Sequence, residues 1–152
     1  MVVGLISDTH GLVRPEALAA LDGCERLIHA GDIGNATVLS QLEAVAPVIA
    51  VRGNIDTAAW ARTVPETQAI ELGGHYVYVL HNVAELDIDP AAAGFAVVVS
   101  GHSHRPLVET RDGVMYINPG SAGPRRFTLP VAVARLHIRG ETLSAESIIL
   151  NV

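Results

Sequence analysis

Val2–Ile6, Arg26–Ala30, Pro47–Val51, Val77–Leu80 and Phe95–Val99 are five short apolar runs, and each stops abruptly at a polar cluster holding Asp, Asn or His. Runs of this length are too short for buried helices, so they read as strands that bury most of their surface. Between the first three lie two helix patterns. Pro15–Leu21 has proline at its start and Leu18 and Leu21 on one face, and Ala36–Val45 carries Val38, Leu39, Leu42 and Val45 at helical spacing. The resulting β-α-β-α-β order implies parallel strands joined by helical crossovers.

The pattern then changes to hairpins. Thr67–Leu72 and His75–Leu80 alternate about Gly73-Gly74, a two-residue turn. Pro90–Ala93 reads as the start of a short helix, and no helix is expected in the last third. There Leu107–Thr110 and Val114–Asn118 flank Arg111-Asp112-Gly113, and Val131–Ile138 and Thr142–Leu150 flank Arg139-Gly140-Glu141. Parallel units followed by hairpins predict an α/β domain of two sheets packed face to face with helices outside, spanning residues 1–152.

Composition narrows the function classes. Hydrophobic residues make up 49% of the chain and charged residues 17%, which supports a core and argues against disorder. No apolar stretch approaches the roughly 18 residues of a membrane helix, and Met1–Ile6 lacks the basic flank of a signal peptide. Cys24 is the single cysteine, so no internal disulfide forms, which suits a cytoplasmic location. The net charge of -6 and the lack of a Lys/Arg stripe disfavour long nucleic acid as a partner, although not a small nucleotide.

Parallel strands bring their carboxyl ends to one sheet edge, where α/β folds place ligands. Asp8, His10, Asp32, Asn54, His81, His102 and His104 would meet there. Imidazoles, carboxylates and an amide, with no thiolate, suit Mn, Fe, Zn, Ni or Co better than Ca or Cu(I). Seven ligands exceed the needs of one catalytic ion. They suit two divalent ions about 3.5–4 Å apart that share a carboxylate. Gly31, Gly53 and Gly101 precede ligands where a Cβ would obstruct the chain's close passage. Taken singly, Asp8, Asp32 and Asn54 could be turn or capping residues and the histidines polar loop residues; it is their joint order that speaks for metal.

That order, Asp8-Thr9-His10, Gly31-Asp32, Gly53-Asn54, the lone His81 and Gly101-His102-Ser103-His104, resembles the calcineurin-like metallophosphoesterases. The nearest resemblance is to the small bacterial and archaeal branch related to the retromer subunit Vps29, and Ile117–Ser121 with Pro124-Arg125 extends it over nearly the whole chain. The resemblance implies a four-layer αββα sandwich of two mixed sheets flanked by helices. It also implies that Asp8, His10 and His104 hold one ion, that Asn54, His81 and His102 hold the other, and that Asp32 bridges them. Manganese is the first choice of metal. The implied reaction is hydrolysis of a small phosphodiester by a hydroxide held between the ions, in line with the departing alkoxide. His10 could assist with a proton, and Asn54 and Arg125 (or Arg126) could bind substrate; surface charge is the plainer reading of both arginines.

Two residues depart from the family pattern. Ile55 stands where many members carry a histidine proposed to protonate the leaving group, and Asn82 follows His81 where glycine is common. Other functions compete. A Vps29-type interaction module keeps the fold without catalysis, although it needs no constellation of seven ligands, and a phosphomonoesterase could use the same site. The resemblance also allows a homo-oligomer formed through exposed sheet edges. His29, His75 and His137 match no ligand position and read as structural or surface residues, and Trp60 as a packing residue.

Overall fold

The computed structural model describes residues 1–152. β1 (Val2–Ile6), β2 (Arg26–His29) and β3 (Val48–Ala50) lie parallel, with Leu5 opposite Ile28 and Ile28 opposite Ile49. The crossovers are α1 (Pro15–Leu21) and α2 (Ala36–Glu43). Proline at the first turn starts α1, and the Asn35 side chain accepts the Val38 N–H to cap α2. Ala17 and Leu21 of α1 and Val38 and Leu42 of α2 are the buried positions. The helical spacing read from the sequence is therefore the spacing of the packed face.

β9 (Ala132–Arg139) pairs antiparallel with β1, and β10 (Thr142–Ile149) with β9, giving the sheet order β10-β9-β1-β2-β3. The second sheet has the order β4-β5-β6-β8-β7, from β4 (Thr67–Leu72), β5 (His75–Leu80), β6 (Phe95–Val99), β7 (Leu107–Arg111) and β8 (Val114–Asn118). β5, β6 and β8 are parallel, while β4 and β7 run antiparallel at the edges. Both sheets are thus mixed, as expected. Gly73-Gly74 and Asp112-Gly113 form the tight turns of two hairpins with left-handed φ at both central residues. Arg111 and Arg139 belong to the strands, since they pair with Val114 and Thr142.

The inner faces enclose one apolar cluster, including Val3, Leu5, Ile28, Val77, Val97, Ile117 and Leu136. A second cluster joins α1 and α2 to the first sheet through Ile6, Leu21, Leu27, Val38 and Leu42, with Cys24 buried and Trp60 packed at its margin. Each of these leucines and isoleucines contributes roughly 1.5–3 kcal/mol by leaving water. The outer layer over the second sheet is thin: a 3₁₀ turn at Val83–Glu85 and a loop turn follow β5, with Leu86 against Leu80, Val98 and Val114. Pro90–Ala93 does not become a helix. Asp89 accepts the Ala93 N–H, Pro90 accepts that of Phe95, and Gly94 at φ 86° turns the chain into β6 after a single turn.

Candidate metal centre

β1, β2, β3, β5 and β6 all end at the same rim of the sandwich, so their polar termini converge. β1 delivers Ser7, Asp8, Thr9 and His10. Asp8 is wholly buried; its Oδ2 accepts the Ser7 hydroxyl at 2.7 Å and the His102 N–H at 3.1 Å. Its Oδ1 has no hydrogen-bond donor and faces His104 Nε2 at 3.4 Å and His81 Nε2 at 3.9 Å. Burial pushes the Asp8 carboxyl above its usual range, against the opposing pull of Ser7, His81 and His104.

Asp32, at the end of β2, places Oδ1 on the Ile55 N–H at 3.2 Å. Its Oδ2 lies 3.4 Å from His81 Nε2 and 3.7 Å from His10 Nε2. Burial works to raise this carboxyl, but His81, the Ile55 N–H and His10 outweigh it and hold the pKa at about 2. His81 Nδ1 lies 2.8 Å from the Ala30 carbonyl, which fixes the hydrogen on Nδ1 and turns the Nε2 lone pair toward the two carboxylates. Burial tends to lower its pKa, yet Asp32, Ala30 and Asp8 raise it overall. His104 is buried and its pKa is lowered, by burial first and then by Arg126 and His10 against the pull of Asp8.

Backbone strain collects at this rim. Asp8, His10, Asp32, His102 and His104 have φ of 54°, 47°, 56°, 72° and 62°, in the left-handed region that non-glycine residues seldom occupy. The preceding Gly53 and Gly101 do not share that twist; they serve close approach instead. A Cβ on Gly53 would lie 2.1 Å from Asp32 Oδ1, and one on Gly101 2.0 Å from Ser7 Oγ. The left-handed turns at His102 and His104 also separate the two side chains. His104 goes inward beside Asp8, and His102 stays exposed, edge-on to His81 with ring centroids 5.2 Å apart.

The donors fit a cation. Asp8 Oδ1, His10 Nε2 and His81 Nε2 are buried without a hydrogen-bond partner, an expensive arrangement unless something binds there, and His104 meets Asp8 Oδ1 through Nε2. Asp8, His10 and His104 bring ligand atoms within 4.8 Å of one another, and so do Asp8, Asp32 and His81. Asp8 is the carboxylate common to both groups, while Asp32 Oδ2 reaches toward both His81 and His10. Asn54 and His102 are exposed at the rim, and His102 belongs to neither close group. Arg125 is exposed and donates to the Val152 carbonyl at 3.2 Å; the arginine whose charge reaches His104 is Arg126.

Two supporting residues were not singled out by the motif order. Asp56 is buried and accepts three backbone N–H groups, from Gly53 at 2.9 Å and from Ile33 and Gly34 at 3.0 Å each. It ties the loop carrying Asn54 to the loop carrying Asp32. Asp56→Asn turns an amide N–H toward this ring of donors, and we expect it to cost about 2 kcal/mol of stability, the worth of a hydrogen bond to a charged group. A urea titration measures this; an unchanged midpoint would remove Asp56 from the scaffold. His29, the other, is fully buried, with Nδ1 accepting the Gly31 N–H at 3.0 Å and Nε2 2.9 Å from Thr9 Oγ1. His75 and His137 instead meet Gly140 and Glu146 near the surface.

Two recesses flank the centre. One, of ≈ 570 Å³, has Asn54 and His81 in its wall; the other, of ≈ 430 Å³, has His102. Asn82 stands in both linings and its side chain accepts the Ala84 N–H, so the residue that departs from the family pattern both caps a turn and divides the recesses.

Residues 1–141 match the Calcineurin-like phosphoesterase superfamily domain. The chain is 35% identical to a probable metallophosphoesterase of Methanothermobacter thermautotrophicus, an alignment that covers 97% of this chain and 92% of the relative. It is 32% identical to the phosphodiesterase YfcE of Escherichia coli over 76% of each. In fold it is similar to Vps29 of Chaetomium thermophilum, with a TM-score of 0.78, 17% identity and 97% of each chain covered.

Proposed function

The chain belongs to the calcineurin-like phosphoesterase superfamily, and on that premise we propose that it is a phosphodiesterase that uses two divalent transition-metal ions, manganese first among them, to hydrolyse a small phosphodiester. The observation that carries this reading is the group of three buried, unpartnered ligand atoms at the strand ends, Asp8 Oδ1, His10 Nε2 and His81 Nε2. Such a group burdens the fold unless a cation is bound, and turnover rather than metal uptake separates an enzyme from an interaction module of Vps29 type. Asp8, His10 and His104 would hold one ion and Asn54, His81 and His102 the other, with Asp32 shared. Ions bound there supply Lewis-acid stabilisation of the phosphoryl oxygens and a water of lowered pKa.

The protein's own residues fix the ligands in place. Ser7 and the His102 N–H leave Asp8 only Oδ1 to offer, and Ala30 sets the His81 tautomer. Ile55 is 46% exposed and brings only its backbone N–H to the centre, so no side-chain acid stands at that position to protonate the leaving group. Diester over monoester is supported by the two recesses, since a diester has two ester arms to place and a monoester one. We place the enzyme in the cytoplasm on the strength of its lone buried thiol, with small molecules rather than long nucleic acid as substrates. No helix is long and apolar enough to cross a membrane. A homo-oligomer joined at sheet edges is compatible with this activity.

The test is turnover by metal-loaded protein of bis-p-nitrophenyl phosphate against p-nitrophenyl phosphate. We expect Mn-dependent cleavage of the diester, abolished by chelator, at a kcat/KM at least about tenfold above the monoester, a difference of about 1.4 kcal/mol. Preference for the monoester would overturn the diesterase reading. Absence of metal uptake would overturn the enzyme.

A further inference from the structure

We propose that the larger recess receives a cationic arm of an asymmetric phosphodiester, an ester group ending in an ammonium. The proposal rests on the diesterase reading above. The recess adjoins the reacting position directly, because its wall includes His81, which is 6% exposed and whose Nε2 lacks a hydrogen-bond partner. Its ≈ 570 Å³ is ample for a small organic group.

Charge decides which group. Four charged side chains line the recess: Arg52, Glu66, Glu85 and Asp87. Arg52 is already engaged, donating to Glu66 at 3.1 Å and to the Val64 carbonyl at 3.1 Å. Glu85 and Asp87 are left without a cationic partner in the lining. The Tyr78 ring lines the same space and is held edge-on by Phe95, with centroids 5.3 Å apart. Free carboxylates beside an aromatic ring suit an ammonium, which gains from both the charges and the ring. An anionic arm would meet like charge, and an uncharged one would leave the carboxylates unused. The smaller recess differs in character, with Arg105 among apolar Val83, Leu107 and Tyr116 and with Arg111 already paired with Glu109, so the two arms are not interchangeable.

The experiment compares two esters that differ in one atom: p-nitrophenylphosphorylcholine, and p-nitrophenyl 3,3-dimethylbutyl phosphate, in which carbon replaces the charged nitrogen. With Mn-loaded protein we expect the choline ester to be preferred about tenfold in kcat/KM, mainly through KM, equivalent to about 1.4 kcal/mol. The preference should shrink toward unity in about 1 M NaCl, where screening is short-ranged, and in the Glu85→Gln/Asp87→Asn double variant. Both side chains are exposed, so the variant keeps its fold. A ratio of one or below in the native protein, or a ratio indifferent to both salt and variant, overturns the proposal. If neither ester is hydrolysed, the diesterase reading fails, and calorimetric binding of the same two esters then decides the recess by the same ratio.

Discussion

Asp32→Ala is expected to eliminate metal-dependent diester hydrolysis, with the loss appearing in metal binding before it appears in chemistry. Asp32 Oδ2 lies within 3.7 Å of His10 and 3.4 Å of His81, so under the proposed assignment one truncation would strip a ligand from both halves of the centre. Loss of partners that merely orient ligands lowers metal affinity about 10–100-fold. If each half loses that much, the pair loses about 10²–10⁴-fold, and the doubly loaded form is no longer populated at micromolar metal. The carboxylate also anchors the Ile55 N–H through Oδ1, so the loop bearing Asn54 loosens as well. Asp32→Asn separates these effects: the amide oxygen can still accept from Ile55, while the charge that both ions would share is gone. Elemental analysis should give close to two equivalents in the native protein and fewer than one in either variant. The rise in melting temperature with added Mn should also vanish. Retention of two equivalents, with turnover within tenfold of native, would refute the shared-carboxylate assignment.

The fold and the convergence of the inner site residues were legible in the sequence for one reason: apolar runs that stop at Asp, Asn or His mark both a strand and its exposed end. Asp8, His10, Asp32, His81 and His104 converge because parallel strands must finish together, and no tertiary detail was needed to expect it. What escaped the sequence depends on contacts between distant segments. Asp56 gave no local sign of its task, because two of its three donors, Ile33 and Gly34, lie 23 and 22 residues earlier in the chain. The left-handed φ of Asp8, His10, Asp32, His102 and His104 was equally hidden, since nothing in the order of residues marks which of them turn. Gly53 and Gly101 supply the room expected of them, while these five residues and Gly31 supply the curvature. The sequence left Arg125 and Arg126 as alternatives, and the path of the loop after Ser121 sends Arg125 to the Val152 carbonyl and brings the charge of Arg126 to bear on His104. The short outer layer over the second sheet also follows from a local feature, Gly94, that ends the expected helix at one turn.

His29 should make the metal-free protein acid-sensitive well above the range in which carboxylates titrate. It is wholly buried, and its pKa is depressed to about 3, by burial first and then by His81, with His10 adding and Asp32 opposing. The Gly31 N–H occupies Nδ1, so the ring hydrogen is on Nε2 and donates to Thr9 Oγ1, whose own hydrogen goes to the Ile33 carbonyl at 2.8 Å. Only the neutral ring fits that chain, because a second hydrogen on Nδ1 would oppose the Gly31 N–H. In the unfolded chain the same residue titrates near its ordinary value of 6.5. Above that pH neither state carries the proton and the contribution of His29 is fully present. As pH falls below it, the unfolded state takes up a proton that the folded state refuses, and stability declines by about 1.4 kcal/mol per unit until the folded pKa is reached. By pH 5 the loss is about 2 kcal/mol. The site that Thr9 and Gly31 support would loosen with it, since those residues neighbour Asp8, His10 and Asp32. Urea unfolding of chelator-treated protein between pH 7.5 and 5, compared with His29→Gln, isolates this contribution because titrations common to both proteins largely cancel. The variant should be less stable at pH 7.5 but flatter with pH. Parallel profiles would show that His29 carries no such linkage.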